Sequence, residues 1–190
     1  VKIVKIYFSW LVFCNLKGNK PFVIMIRVMI LAFVLLISNE IRSQDLDLNS
    51  VRNDFNKGVK DEELCKKHLE ALEENADSPV ERGYAAAFHM FMAKHTTNPF
   101  KKMGYFKDGR NMLEKELKSN PNNVELRFIR LSIQYHIPKY LGYHNEIESD
   151  KDFVMNNLYK LSDKFTKEKI YKYLKGANMY TADELALLGR

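Results

Sequence analysis

Cysteine is scarce in this chain, with two in 190 residues, Cys14 and Cys65. That excludes a scaffold stapled by disulfides, which needs several pairs in a short chain. Strand signals are missing as well, since no stretch alternates apolar and polar residues long enough to flank a hairpin turn. There is no HExxH pair, and no serine or cysteine stands in a nucleophile signature. The five histidines, His68, His89, His95, His136 and His144, are scattered. His89 and His95 are six apart, which puts them on different faces of a helix. Cys65 and His68 are an i, i+3 pair, but two ligands do not make a metal site. No catalytic residue, metal or cofactor is expected from these patterns.

An excess of base is present overall but is not spread evenly. The formal charge is +6, from 30 Lys and Arg against 24 Asp and Glu. Residues 1–43 hold six of the bases and a single acid, Glu40. Residues 44–190 therefore carry 24 bases against 23 acids, a net +1. A nucleic-acid partner needs a basic patch on the folded domain, so none is expected.

The segment from Met25 to Ser50, "MIRVMILAFVLLISNEIRSQDLDLNS", reads like a second beginning. Arg27 is a positive start, and Val28 to Ile37 are ten uncharged residues. Ser38 to Gln44 are polar and include the small residue Ser43. This is the layout of a secretory signal peptide over 25–43, cleaved after Ser43. Ten residues fall short of the roughly 20 that span a bilayer core. Two alternatives stay open: an uncleaved N-terminal membrane anchor and a buried core helix. Residues 1–24 then read as a non-native upstream extension, with translation starting at Met25. The rival reading is a membrane hairpin built from Ile6 to Leu16 and Phe22 to Ile37. The expected location is the periplasm or cell envelope, with membrane contact only if the leader stays attached. The rest, 44–190, is long enough for one domain with a proper core.

Helix signals recur along that domain. Leu48, Val51 and Phe55 share one side of a first helix, Leu46 to about Lys57. A second opens near Asp61 and turns Leu64, Cys65, Leu69 and Leu72 inward. "SPVE" is a clear start, with Ser78 as N-cap, Pro79 at N1 and Glu81 at N3 completing a capping box. The helix that follows, Val80 to His95, is apolar nearly all round, which marks a central helix. Asn98-Pro99 opens another, ending about Ser119. Val124 to Ile137 has two apolar faces, as a helix sandwiched between layers should. Pro138 ends it, and Gly142 is the expected turn of the loop beyond. Asp150 or Ser149 is expected to cap a helix through Lys164, and a further helix runs about Lys167 to Lys175. Thr181 and Glu184 form a second capping box for a short final helix closed by Gly189. The expected fold is all-α, with seven to eight helices in antiparallel hairpins.

Phe106 to Asn123, "FKDGRNMLEKELKSNPNN", resembles the second helix of a tetratricopeptide repeat (TPR). That pattern places a small residue, a large apolar one four later, a small one three later and then a proline. Gly109, Leu113 and Pro121 fit, and Glu116 stands where a small residue is usual. Arg127, Arg130, Leu131 and Gln134 replace the usual signature of the next helix. The resemblance covers 79–165 and implies a TPR-like array. The chain from Met25 is also similar to small exported all-helical proteins of unknown function from Gram-negative bacteria, through its leader and "NPNNVELRFIRLSIQ…PKYLGY". That similarity implies an envelope location and no activity.

"RFIRLSIQYHIPKYLGYHNE" holds the candidate site. Arg127, Arg130 and Gln134 share a strip, and His136, Tyr140, Tyr143 and His144 cluster just beyond. Arg and Tyr anchor interfaces through bidentate pairing and amphipathic rings. The expected function is a protein–protein interaction or scaffold module that binds a protein or peptide in the envelope. Two alternatives stand beside it. The arginines could pair internally with Glu114, Glu116 or Glu125. The chain could also be a metal- or thiol-dependent envelope enzyme using its histidines and Cys65.

Overall fold

The computed structural model describes residues 46–189, which are all-α, with eight α-helices and no strand among them. The expectations for residues 1–43 (upstream extension, signal peptide, hairpin) lie outside the described residues. The helices are α1 Leu48–Gly58, α2 Glu62–Asn75, α3 Pro79–Phe91, α4 Pro99–Ser119, α5 Val124–His136, α6 Ile147–Asn157, α7 Lys164–Gly176 and α8 Ala182–Leu188. Single 3₁₀ turns follow α3 at Met92–Lys94, α5 at Lys139–Leu141 and α6 at Leu158–Lys160.

Helix starts are set by short polar side chains that accept the orphan N–H groups of the first turn. Asp47, Asp61, Ser78, Asn98, Asn123, Asp163 and Thr181 all do this. Both expected capping boxes, Ser78 with Glu81 and Thr181 with Glu184, are formed. α6 is the exception, because its N-cap Glu146 makes no side-chain bond. Asp150, expected as a cap, instead lies inside the first turns of α6, fully buried. Its carboxylate is engaged by two arginines of α5, which removes it from capping. The expected helix through Lys164 also stops early. α6 ends at Asn157, and Asp163 caps α7 instead.

α3 is the central helix, and Tyr84, Ala85, Ala86, Ala87 and Phe88 are each at most 3% exposed. The run of alanines lets neighbours come close. A Cβ on Gly83 would meet Leu126 of α5 at 2.4 Å, and a Cβ on Gly109 of α4 would meet the Ala86 carbonyl oxygen at 2.6 Å. Arg82 at the start of α3 pairs with Glu116 at the end of α4, so the two helices run antiparallel. Leu113, one turn on from Gly109, is completely buried. Glu116, the misfit in the TPR pattern, is buried because Arg82 neutralises it with two hydrogen bonds.

Gly109→Ala is expected to destabilise the fold by about 1–3 kcal/mol through overpacking against backbone. This holds although alanine is the better helix former by roughly 1 kcal/mol. Urea unfolding checks it, and an unchanged or raised midpoint would mean that α3 and α4 part without cost.

Candidate functional site

Three arginines clamp helices together through both carboxylate oxygens of a partner, the strongest form of a charged hydrogen bond. Arg52 of α1 holds Glu125 of α5 at 2.7 and 2.9 Å, and the Tyr84 hydroxyl donates to the same carboxylate at 2.9 Å. Arg82 holds Glu116 at 2.9 and 3.1 Å. Arg130 holds Asp150 at 2.6 and 2.8 Å, and Arg127 adds a third bond to it at 2.7 Å. Burial works against the Arg130 charge, but its bonds to Asp150 outweigh that and hold its pKa above the ordinary value. Burial and then the Glu125 contact push the Tyr84 phenol well up.

The seven residues singled out from the sequence do not form one open surface. Arg130 is 6% exposed and reaches Glu114 as well as Asp150. Arg127 donates to the Pro121 carbonyl and stacks 4.9 Å from the Phe153 ring centre. Tyr143 is buried and donates its hydroxyl to Glu114, and burial, then that bond, raises its pKa. His144 sits 3.1 Å from the Ile137 carbonyl. The internal-pairing alternative thus describes Arg130 through Glu114, but the main partner is Asp150, twenty residues away.

Gln134 is 1% exposed, and neither its amide nitrogen nor its oxygen has a partner among the described residues. A buried amide left unpaired costs free energy. Gln134→Met keeps the length and removes the polar atoms, so it should raise stability by about 1–3 kcal/mol. A drop in the thermal midpoint would show that something hydrogen-bonds this amide.

His136 and Tyr140 lie elsewhere, on a groove of about 720 Å³. One wall comes from the end of α1 (Phe55, Val59, Lys60), another from the end of α3 (Met90, Phe91). The start of α4 adds Lys102, Met103 and Phe106. The end of α5 and its turn add Ile133, Ile137, Tyr140 and Leu141. The groove exists because four helix ends converge there. α3 tightens into its 3₁₀ turn at Met92, and Pro138 stops α5. His95 lies 2.8 Å from the Gly58 carbonyl and ties the α3–α4 connection to α1.

Its floor is apolar, and two of its polar groups are held by main-chain carbonyls. The Ser132 hydroxyl donates to Phe128 O at 2.8 Å, and His136 Nδ1 lies 2.9 Å from Ser132 O. Tyr140 at 82% exposed and Met103 at 40% stand at the lip. A smaller cavity of about 220 Å³ lies behind Phe55 and Tyr173, which border both. Phe55 meets the rings of Tyr84, Phe88, Phe91, Phe128 and Tyr173 at 5.3–6.4 Å, so this partition is a packed aromatic cluster.

Lys60, Lys94, Lys102 and Met103 were not singled out from the sequence. The only signal there was a lysine near an exposed apolar residue at a helix end, which is common on any surface.

Cys65 is fully buried beside the Phe88 carbonyl, and burial, reinforced by Glu62 and Asp61, pushes its thiol up to about 12. A thiol held protonated in the core is not a nucleophile in the folded chain. Among the described residues no three His, Cys, Asp or Glu side chains gather as metal ligands. No described helix is long and apolar enough to cross a membrane. Set against known protein families, curated proteins and solved structures, the chain matches none.

Proposed function

We propose that this protein is an exported, non-enzymatic binding module of the cell envelope, and that the groove between α1, α3, α4 and α5 engages its partner. The observation that carries the reading is the groove itself. At about 720 Å³ it falls in the range of ligand cavities, roughly 300–1,000 Å³. It stays open and apolar in a domain whose buried arginines are all engaged in internal pairs. The export part of the reading rests on the pattern of Met25 to Ser43. The α3–α4 crossing at Gly109 and Leu113 supports taking this hairpin as TPR-like, an architecture that displays concave binding surfaces. In this reading the partner surface expected at 127–144 contracts to its middle, His136 and Tyr140, because Arg127, Arg130 and Tyr143 are engaged internally.

A neutral solvatochromic dye, Nile red, tests this. One saturable site with blue-shifted emission is expected. Met103→Glu with Tyr140→Glu places charge at two exposed lip positions and should weaken that binding by about tenfold or more. The far-UV CD should not change. Absence of a saturable site, or binding indifferent to the double variant, would sink the reading.

A further inference from the structure

The groove has a charge as well as a shape. Among the described residues no Asp or Glu lines it, while Lys60, Lys94 and Lys102 do. All three are exposed, and none is in an ion pair among the described residues. The smaller cavity behind the aromatic partition is bordered by Lys169, Lys172 and the paired Arg52, with no acid on it among the described residues. Residues 44–190 are almost neutral overall, so this is a local segregation of positive charge at one mouth. An apolar cavity rimmed by unpaired ammonium groups is complementary to a molecule with an alkyl body and an anionic end.

Resting on the reading of the groove as the working surface, we propose that its occupant is a long-chain carboxylate. The alkyl chain lies against Met90, Phe106 and Ile133, and the carboxylate sits among Lys60, Lys94 and Lys102. The polar atoms of the floor favour this over an extended peptide. The Ser132 hydroxyl is already engaged, and Asn56 and His136 are exposed at the rim, so peptide N–H and C=O groups laid against the apolar floor would find few partners there. An alkyl chain has no such groups. Size agrees too. A methylene is close in size to a water, which takes ~30 Å³ in the liquid, so some sixteen carbons fit with room left. Lysine suits the mouth because its stem covers apolar surface while its ammonium stays in water beside the carboxylate.

The test is displacement of Nile red from the purified full chain by palmitate and by hexadecanol, both below micellar concentrations. Palmitate should displace the dye at about one equivalent, with hexadecanol at least about tenfold weaker. Replacing the three lysines together (Lys60→Gln, Lys94→Gln, Lys102→Gln) should weaken palmitate by about tenfold and leave hexadecanol and the dye within about twofold. Equal displacement by acid and alcohol, or palmitate binding indifferent to the lysines, overturns the proposal. If the dye binds the groove and neither compound displaces it, the carboxylate falls and the groove reading stands. An apolar helix of a partner protein is then the occupant to pursue. If the dye finds no saturable site, both fall.

Discussion

Asp150→Ala should cost about 3–5 kcal/mol, a large share of the stability of a domain this size. Asp150 is fully buried and takes three hydrogen bonds from two guanidinium groups. Removing it leaves Arg130, 6% exposed, with Glu114 at 3.1 Å and Glu146 at 3.7 Å as its remaining anions. Among the described residues Arg127 keeps only the Pro121 carbonyl and the Phe153 ring. The cost is that of burying positive charge without its counterion. A shift of about 2–4 °C per kcal/mol gives a fall of roughly 10 °C in Tm. Hydrogen exchange should quicken first in α6 and in the loop 137–146, which Arg130 holds through Asp150 and Glu146. A loss under about 1 kcal/mol would mean that water reaches the pair and screens it.

The Glu125 clamp should respond as strongly and can be repaired differently. Glu125→Ala orphans the Tyr84 hydroxyl, 2% exposed, and leaves Arg52 with Asn49 and a distant Asp163 at 3.8 Å. The expected loss is about 3–5 kcal/mol, measured by urea unfolding. Glu125→Leu combined with Arg52→Met and Tyr84→Phe should recover most of it, because a buried ionic group replaced whole by apolar residues is often neutral. If the triple variant is no better than Glu125→Ala, the clamp stabilises by shape and not by charge pairing.

Helix starts were legible in the sequence because capping is local. Ser78 and Glu81, or Thr181 and Glu184, make their bonds within three residues of each other, and a short motif carries all the necessary information. Asp150 misled for the same reason. An acid ahead of an apolar run reads as a cap, but its partners lie 20 and 23 residues back on another helix. The apolar circumference of α3 announced a central helix, and it is one. The groove was nearly invisible. Each of its walls is the end of a different helix, so no window of sequence contains Lys60, Lys94, Lys102 and Tyr140 together. Internal pairing of Arg127 and Arg130 was readable as an alternative, but only Glu114 of the acids named for it is a partner, and Asp150, 20 and 23 residues on, carries no local sign of the contact.

The span of the Arg52–Glu125 clamp has a kinetic meaning. Its two residues are 73 apart in the chain, whereas the caps and the α3–α4 hairpin join near neighbours. Contacts between distant residues require a long loop to close first, and local structure precedes them. The clamp therefore belongs to the far side of the folding barrier. Weakening it is expected to leave the refolding rate almost unchanged and to speed unfolding, which urea-jump kinetics of Glu125→Ala would read. On that expectation, Arg52 and Glu125 govern how long the folded molecule lasts, and the helix caps and the tight hairpin how quickly it is reached.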